Sequence, residues 1–306
     1  MGQRYAGIEK KWAQAILGLA LLIGAFVVIV AVKRADRGGP VFAAEKKEAD
    51  ANEPKDSNKG RQGEDEKVKD SNEGQAGRPD HNHPAFSERV EERARMVAED
   101  IEGRGVRDPG VLAAMRTAPR HAFVRRSDSR RAYADHPLPI GLNQTISQPY
   151  IVAYMTDALK LGPDSKVFEV GTGSGYQAAV CAEIAGEVYT VEILEKLAES
   201  ARDRLKELGY RNVTVKAADG YYGWEEKGPF DAIIITAAAG LVPPPLIEQL
   251  KPGGRMILPL GSPYGAQWLV LITKDDKGEV RSRSLIPVRF VPMTGRAMEA
   301  ERPSGK

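Results

Sequence analysis

Apolar and polar positions divide the chain into three parts of different character. Residues 12–32 contain no charged side chain and are almost wholly apolar, whereas residues 45–84 are polar, with Val68 as their only large aliphatic residue. From about residue 85 to residue 292, short apolar runs recur between polar segments. The third part therefore has the pattern of a folded domain, and the second has the pattern of a disordered linker.

Within the third part, runs of strand length alternate with longer segments of helical period. The predicted strands are 166–170, 187–192, 213–217, 231–236, 255–260 and 268–273. The predicted helices are 85–102, 109–115, 149–161, 175–185, 194–208 and 245–250. This alternation predicts an α/β fold, in which a mostly parallel, doubly wound sheet carries helices on both faces and the first helices form an N-terminal cap.

The apolar run at the N-terminus is long enough to cross a hydrocarbon core of about 30 Å as a helix. It is either a retained anchor or a cleaved signal peptide. Lys33, Arg34 and Arg37 separate it from the small residues at 41–44, and signal-peptide cores are usually about 7 to 15 residues long. We therefore favour a transmembrane anchor in the lipid bilayer. Basic residues flank the run on both sides, so its orientation stays open.

These patterns set the predicted boundaries along the chain. They are an N-terminal flank at 1–12, a membrane anchor at 13–32, a charged disordered linker at 33–84, a catalytic domain at 85–293 and a tail at 294–306. Within the linker, His81 and His83 have no third candidate ligand, so we expect solvated side chains and no metal site. We expect the catalytic domain to be monomeric.

Charge and cysteine content narrow the class of protein. The 44 lysines and arginines nearly balance the 42 aspartates and glutamates, so no overall field points to nucleic acid as a partner. The single cysteine, Cys181, excludes an intramolecular disulfide. It lies among small apolar residues without a nearby cation, and we expect a buried, unreactive thiol.

A glycine-rich turn after the first predicted strand carries the clearest chemical signal. The turn 171–175 has the spacing G-x-G-x-G, whereas a dinucleotide fingerprint needs G-x-G-x-x-G. Glu192 ends the next strand, where a carboxylate can accept both ribose hydroxyls of an adenosine-containing ligand. Glu169 precedes the turn, as an acidic residue commonly does in methyltransferase loops. The spacing favours S-adenosylmethionine over a nicotinamide dinucleotide, and hence a Rossmann-like class I methyltransferase.

Further residues extend the predicted cofactor site. Asp219 and Gly220 follow the third strand, where an aspartate can accept from an adenine amino group, although an isolated Asp-Gly is more often only a turn. The predicted cofactor-binding set is Glu169, Gly171, Thr172, Gly173, Ser174, Gly175, Glu192, Asp219, Gly220 and Thr236.

Several blocks of the sequence closely resemble the protein-L-isoaspartate O-methyltransferase family. They lie in family order at 138–153, 169–177, 220–224, 230–238 and 288–293. The block that ends in Ser147-Gln148-Pro149 is not a general methyltransferase feature, so the resemblance is specific. It implies methyl transfer from S-adenosylmethionine to the α-carboxylate of L-isoaspartyl residues in damaged proteins, which initiates their repair to aspartyl.

The resemblance also implies the roles of individual residues. Ser147 corresponds to the family's active-site serine, and Thr145 provides a hydroxyl close by; Ile140, Gln144 and Val291 are the expected substrate-binding residues. Where the family usually has glycine, this chain has Asn143. Asparagine tolerates a positive φ better than most residues, so we expect the turn to form.

The chemistry requires orientation more than proton transfer. A carboxylate with an ordinary pKa of about 4 is already ionised at neutral pH, so no base has to act on it. We therefore interpret Ser147 as a hydrogen-bonding positioner, although Thr145 and Ser147 could instead cap the helix that begins at Pro149. His121 and His136 are weaker candidates, because neither has a partner visible in the sequence.

Two other functions stay open at this point. A small-molecule carboxyl or hydroxyl methyltransferase would share the fold, and a noncatalytic membrane-bound adaptor would keep the domain for protein binding. The signature around Ser147 argues against the first, and the intact Gly171, Gly173, Glu192 and Asp219 argue against the second. Since S-adenosylmethionine is a cytosolic metabolite, we expect a domain that faces the cytoplasm, although the anchor also suits a periplasmic or exported domain.

Overall fold

The computed structural model describes residues 77–262 and 265–300. The predicted strands and helices are present there with small changes in their ends, except for the helix at 85–102. The strands are β1 Leu138–Gly141, β2 Gln144–Ile146, β3 Lys166–Val170, β4 Glu187–Glu192, β5 Val213–Ala217, β6 Phe230–Ile235, β7 Leu250–Gly261, β8 Gln267–Lys274 and β9 Val280–Val288. The α-helices are α1 Val90–Met96, α2 Pro109–Thr117, α3 Pro149–Leu159, α4 Tyr176–Ala182, α5 Glu195–Glu207, α6 Pro244–Glu248 and α7 Arg296–Ala300.

The central sheet of the described residues has seven strands in the order β5-β4-β3-β6-β7-β8-β9. The four pairs formed among β3 to β7 are parallel, and the last two pairs, β7 with β8 and β8 with β9, are antiparallel. The predicted mostly parallel, Rossmann-like sheet is confirmed. The chain leaves β3 toward β4 on one side and returns to β6 on the other, and such a switch point is where open α/β sheets bind ligands.

Alternating side chains of the strands fill a separate core on each face of the sheet. Ile234 and Ile257 belong to one core and Ile233 and Met256 to the other, and all four are inaccessible to solvent. Helices α1 to α5 contribute to the first core, and α6 and α7 to the second. Strands that are covered on both faces are nearly continuous apolar runs, so the central strands were recognisable in the sequence.

The predicted helix at 85–102 is interrupted in the structure. Arg89 adopts the left-handed conformation with φ 50°, and its guanidinium contacts Glu92 and the Ser129 carbonyl oxygen. The α-helix therefore begins at Val90, and it continues beyond Met96 as a π-helical segment, Val97–Ile101. A single amphipathic pattern thus covers several short helical turns, because tertiary contacts of Arg89 outweigh local propensity.

Three elements were not predicted: the β1–β2 hairpin, β9 and α7. Strand β9 is mostly exposed and carries charged residues such as Arg281 and Arg283, so it has no apolar run that marks a strand. Charged side chains of this kind protect the open edge of a sheet. The hairpin is short and lies within the block that contains Thr145 and Ser147.

Residues before the predicted domain boundary at 85 contact the catalytic domain. Asp80, which we expected in the linker, forms an ion pair with Arg211 at 2.7 Å, and the His81 ring nitrogen Nε2 lies 2.9 Å from a Glu183 carboxylate oxygen. The predicted anchor at 13–32 and linker residues 33–76 lie outside the described residues. Among the described helices, none is long and apolar enough to cross a membrane.

Candidate active site

The glycine-rich turn connects β3 to α4 at the carboxyl edge of the sheet. Gly171, Gly173 and Gly175 have φ of 95°, 52° and 91°, which glycine adopts without steric cost. A Cβ at Gly171 would lie 2.6 Å from the Thr236 hydroxyl, and that hydroxyl donates to the Gly171 carbonyl oxygen at 2.7 Å. Thr236, predicted to bind the cofactor, therefore holds the turn against the end of β6.

Glu192 lies beside this turn, as its position at the end of β4 predicted. Its carboxylate accepts hydrogen bonds from the backbone N–H of Gly173 at 2.9 Å and of Leu194 at 3.0 Å. A carboxylate has about four acceptor positions, so two remain for hydroxyl groups of a ligand. The geometry fits a ribose placed against the glycine-rich turn.

Glu169 is completely buried at the carboxyl end of β3. Its Oε2 accepts from the Thr190 hydroxyl at 2.6 Å, and Oε1 has no hydrogen-bond partner. Burial raises the pKa of Glu169 to about 8, and the nearby Glu192 charge acts in the same direction. A buried carboxyl oxygen without a partner is consistent with a cationic ligand group that approaches the site.

Thr172 and Ser174, also in the predicted cofactor set, are buried and point into the protein. The Thr172 hydroxyl lies 2.6 Å from that of Thr190, and the Ser174 hydroxyl accepts from the Tyr176 N–H at 3.3 Å. Their side chains stabilise the turn from behind. Any contact of these two residues with a cofactor would come through their backbone.

Asp219 and Gly220 follow β5 at the same edge of the sheet. A Cβ at Gly220 would lie 2.3 Å from a methyl group of Val170, so this approach to β3 requires glycine. Asp219 accepts from the Tyr221 N–H at 2.9 Å and from the Arg296 N–H at 2.8 Å. Helix α7 therefore contacts a residue of the predicted cofactor set, although its sequence, which we predicted as the beginning of the tail, gave no signal.

The β1–β2 hairpin brings the predicted substrate-binding residue Ile140 to the glycine-rich turn. Its two-residue turn has φ of 48° at Leu142 and 59° at Asn143, as expected for the asparagine. The end of the Ile140 side chain lies 3.3 Å from where a Cβ of Gly173 would stand. The hairpin and the predicted cofactor site are thus in contact.

Ser147 and Thr145 lie at the end of this hairpin, and no hydrogen bond of either hydroxyl is found within the described residues. Thr145 is exposed and Ser147 is half-buried. The residue that precedes α3 is Gln148, whose side chain makes no capping bond; instead, the Tyr150 N–H donates to Asp135 at 2.9 Å. The alternative in which Thr145 and Ser147 cap α3 is therefore not observed.

The remaining candidates fall into two groups. Val291 lies near the end of β6, and its carbonyl oxygen accepts from the Ala238 N–H at 2.8 Å. Gln144 is half-buried on β2. His121, in contrast, contacts the Tyr133 hydroxyl at 2.7 Å, and burial lowers its pKa. His136 contacts the Pro137 carbonyl oxygen at 3.0 Å. Both histidines have partners that the sequence did not reveal.

Cys181 is inaccessible to solvent in α4, which confirms the predicted buried thiol. Burial raises its pKa to about 12, and the nearby carboxyl of Glu169 adds to the shift. Because the thiolate is the reactive form, Cys181 is unreactive at neutral pH.

A comparison with known protein families identifies the activity of the domain. The family model described as Protein-L-isoaspartate(D-aspartate) O-methyltransferase (PCMT) matches residues 91–298. The chain belongs to this family. It is a protein-L-isoaspartate O-methyltransferase, which transfers the methyl group of S-adenosylmethionine to L-isoaspartyl residues of damaged proteins and so initiates their repair.

Relatives of this methyltransferase support the assignment over nearly their whole length. Protein-L-isoaspartate O-methyltransferase 2 of Syntrophobacter fumaroxidans is 57% identical over 67% of this chain and 83% of the relative. Protein-L-isoaspartate O-methyltransferase 1 of Nitrosospira multiformis is 58% identical over 66% and 87%, respectively. The matched lengths of 206 and 205 residues are close to the length of the family match at residues 91–298.

Solved structures agree with the fold. A protein-L-isoaspartate O-methyltransferase structure superposes with a TM-score of 0.62 and 29% identity over 67% of each chain. A Plasmodium falciparum member, solved in complex with S-adenosyl-L-homocysteine, gives a TM-score of 0.57 and 25% identity over 66% of this chain and 98% of its own.

Proposed function

We propose that Ser147 and Thr145 hold the isoaspartyl carboxylate while the glycine-rich turn, Glu192 and Asp219 hold S-adenosylmethionine. The observation that carries this proposal is the Ser147 hydroxyl, which has no hydrogen bond within the described residues. It stands at the end of a hairpin that contacts the glycine-rich turn at Gly173. A hydroxyl without an intramolecular acceptor is free to donate to a bound carboxylate.

Each acidic residue of the predicted cofactor set suits one chemical group of S-adenosylmethionine. Glu192 has acceptor positions for the ribose hydroxyls, and Asp219 has them for the adenine amino group. The unpartnered Oε1 of Glu169 suits the ammonium group at the methionine end. When bound, S-adenosylmethionine supplies a methyl group that its sulfonium makes electrophilic.

The protein's own contribution to the reaction is the orientation of the acceptor carboxylate. The acceptor carboxylate is already ionised at neutral pH, and no residue has to remove a proton from it. Hydroxyl donors at Ser147 and Thr145 fix the direction of its attacking oxygen, and such alignment gives large rate effects. Ile140, Gln144 and Val291 are the residues expected to contact the neighbouring peptide, and the approach of Ile140 to Gly173 supports this role for Ile140.

Substitution of Ser147 by alanine tests the proposed role. We expect Ser147→Ala to lower kcat for an isoaspartyl peptide by about 10- to 100-fold and to change the Kd of S-adenosylmethionine by less than about twofold. Ser282→Ala, on the exposed edge strand β9, is the matched control and is expected to leave both constants unchanged. Wild-type turnover in Ser147→Ala would contradict the proposed role.

We further propose that residues 13–32 anchor a monomeric catalytic domain to the membrane, with the domain in the cytoplasm. The uncharged length of this segment supports the anchor, and the need for a cytosolic cofactor supports the orientation. Protease added to spheroplasts before and after lysis tests the orientation. We expect the domain to be digested only after lysis, and digestion in sealed spheroplasts would contradict the cytoplasmic placement.

A further inference from the structure

A carboxylate outside the signature block joins the two ends of the active-site hairpin. Asp135 precedes β1, and its Oδ2 accepts from the Gln148 side-chain amide at 2.7 Å, while its Oδ1 accepts from the Tyr150 N–H at 2.9 Å. Both donors follow β2, so the contacts of Asp135 close the base of the hairpin. Ser147 is the residue directly before Gln148.

The position of Asp135 is itself fixed by arginines. Arg120 is completely buried, and its guanidinium donates to the carbonyl oxygens of Ala132 at 2.8 Å and of His136 at 3.5 Å, on both sides of Asp135 in the sequence. Arg104 forms an ion pair with Asp135 at 2.7 Å, and its guanidinium lies 3.5 Å from the centre of the Tyr150 ring. The Asp135 side chain is only 13% exposed.

The capping acceptor of α3 comes from Asp135 and not from the residues directly before the helix. The side chain of Gln148, at the cap position, makes no capping bond, and Asp135 supplies the acceptor from 15 residues earlier in the chain. Ser147 stands one residue before the cap position, and its hydroxyl takes no part in the cap. The backbone at 147–148 is held between β2 on one side and Asp135 on the other.

We infer that Asp135 is a positioning residue that orients the Ser147 hydroxyl toward the acceptor carboxylate by clamping Gln148 and the first turn of α3. The inference rests on the role proposed above for Ser147. Asp135 would thus control the orientation of the Ser147 hydroxyl without touching substrate or cofactor. Hydrogen bonds to a charged carboxylate are shorter and stronger than neutral ones, so they can hold the backbone at 147–148 in one position.

Kinetics of the full-length protein with an isoaspartyl peptide and saturating S-adenosylmethionine test the inference. We expect Asp135→Ala to lower kcat at least about 10-fold, because a small misplacement of a positioning group has a large effect on rate. The Kd of S-adenosylmethionine is expected to stay within about twofold. Asp135→Asn is expected to recover part of the turnover, since its carbonyl can accept from Tyr150 and Gln148 can rotate its amide to accept from the new NH₂, whereas that NH₂ cannot accept from Arg104.

Two comparisons separate positioning from simple stabilisation. Asp108 caps α2 through the N–H groups of Gly110 and Val111, so Asp108→Ala also removes a helix cap, but away from the hairpin. It is expected to lower Tm as Asp135→Ala does, and to keep wild-type kcat at a temperature where both variants are folded. In the double variant with Ser147→Ala, we expect Asp135→Ala to lower kcat by less than about twofold further, since coupled residues are not additive.

Each outcome decides one of the two claims. The positioning inference would be overturned if Asp135→Ala and Asp108→Ala had equal effects on kcat. It would also be overturned if the effects of Asp135→Ala and Ser147→Ala on kcat multiplied in the double variant. An impaired Ser147→Ala beside an Asp135→Ala with wild-type kcat would overturn this inference alone. Wild-type kcat in Ser147→Ala would overturn the proposed function, and with it the positioning role of Asp135.

Discussion

Glu169 is a carboxyl group without access to water, and its burial has a consequence for stability. Its pKa is raised from 4.5 to about 8, chiefly by burial, so the folded protein keeps a proton there that the unfolded chain has released. Between these two pH values, the folded state binds more protons than the unfolded state. The free energy of unfolding contributed by this group therefore decreases as pH rises through the window.

The isosteric amide Glu169→Gln tests this point. We expect the Tm of the cofactor-free wild type to fall by about several degrees relative to the variant between pH 5 and pH 8, because glutamine resembles the protonated acid and does not titrate. Thermal melts of both proteins across this range measure the difference. A constant difference in Tm would contradict the raised pKa of Glu169.

Gly220 provides a steric prediction at the same scale. A Cβ there would stand 2.3 Å from a Val170 methyl group, whereas one at Gly162 would have no heavy atom closer than 4.0 Å. We expect Gly220→Ala to lower the free energy of unfolding by about 1–3 kcal/mol, as overpacking does, and to weaken cofactor binding. Gly162→Ala is the matched control. Denaturant unfolding of both variants measures the change, and equal stabilities would contradict the close approach.

Individual site residues were predictable where a side chain follows a recognisable strand. Glu192 and Asp219 stand where parallel strands end, and their positions follow from the strand pattern alone. Asp135 was not predicted, because its partners lie 13, 15 and 31 residues away and no helix begins beside it. An aspartate without a local helix to cap, just before a signature block, is the signal that could have indicated it.

The β1–β2 hairpin is the element on which the proposed acceptor site depends, and its turn contains an unfavourable residue. Leu142 is 51% exposed and adopts φ 48°, a conformation that costs about 1–2 kcal/mol for a residue with a β-carbon. Type I′ turns prefer Asn-Gly. We therefore expect the double variant Leu142→Asn, Asn143→Gly to raise Tm by about 2–4 °C.

Calorimetry of the double variant measures this gain, with Leu142→Ala as the control that keeps a β-carbon at the strained position. A lower Tm in the double variant than in Leu142→Ala would contradict the turn geometry. Among the elements, the sequence predicted β3, β4, β6, β7 and β8 from their apolar runs, and it predicted the mostly exposed β5 from the alternation of strands and helices. It did not predict β1, β2 or β9, which are short or polar and are stabilised by contacts distant in sequence.

The whole molecule includes a segment before residue 85 that packs on the catalytic domain. Asp80 pairs with Arg211, His81 contacts Glu183, and the His81 and Phe86 rings lie 4.7 Å apart. We expect a fragment that begins at residue 77 to have a higher Tm than one that begins at residue 87, because the shorter fragment leaves the half-buried Glu183 without this partner.

Thermal melts of the two fragments measure the contribution of the segment, and Arg211→Ala in the longer fragment serves as a control that removes one ion pair. Equal Tm values of the two fragments would contradict the packing of residues 77–86. Composition predicted a polar linker there, but it could not predict that its last residues find specific partners on the domain surface.

Acceptor specificity tests the central claim most directly. The full-length protein is incubated with S-adenosylmethionine labelled in its methyl group and with two peptides that differ only in one isoaspartyl or aspartyl linkage. We predict label on the isoaspartyl peptide alone, as a base-labile methyl ester. Equal labelling of both peptides, or of neither, would contradict the assignment of this site to protein repair.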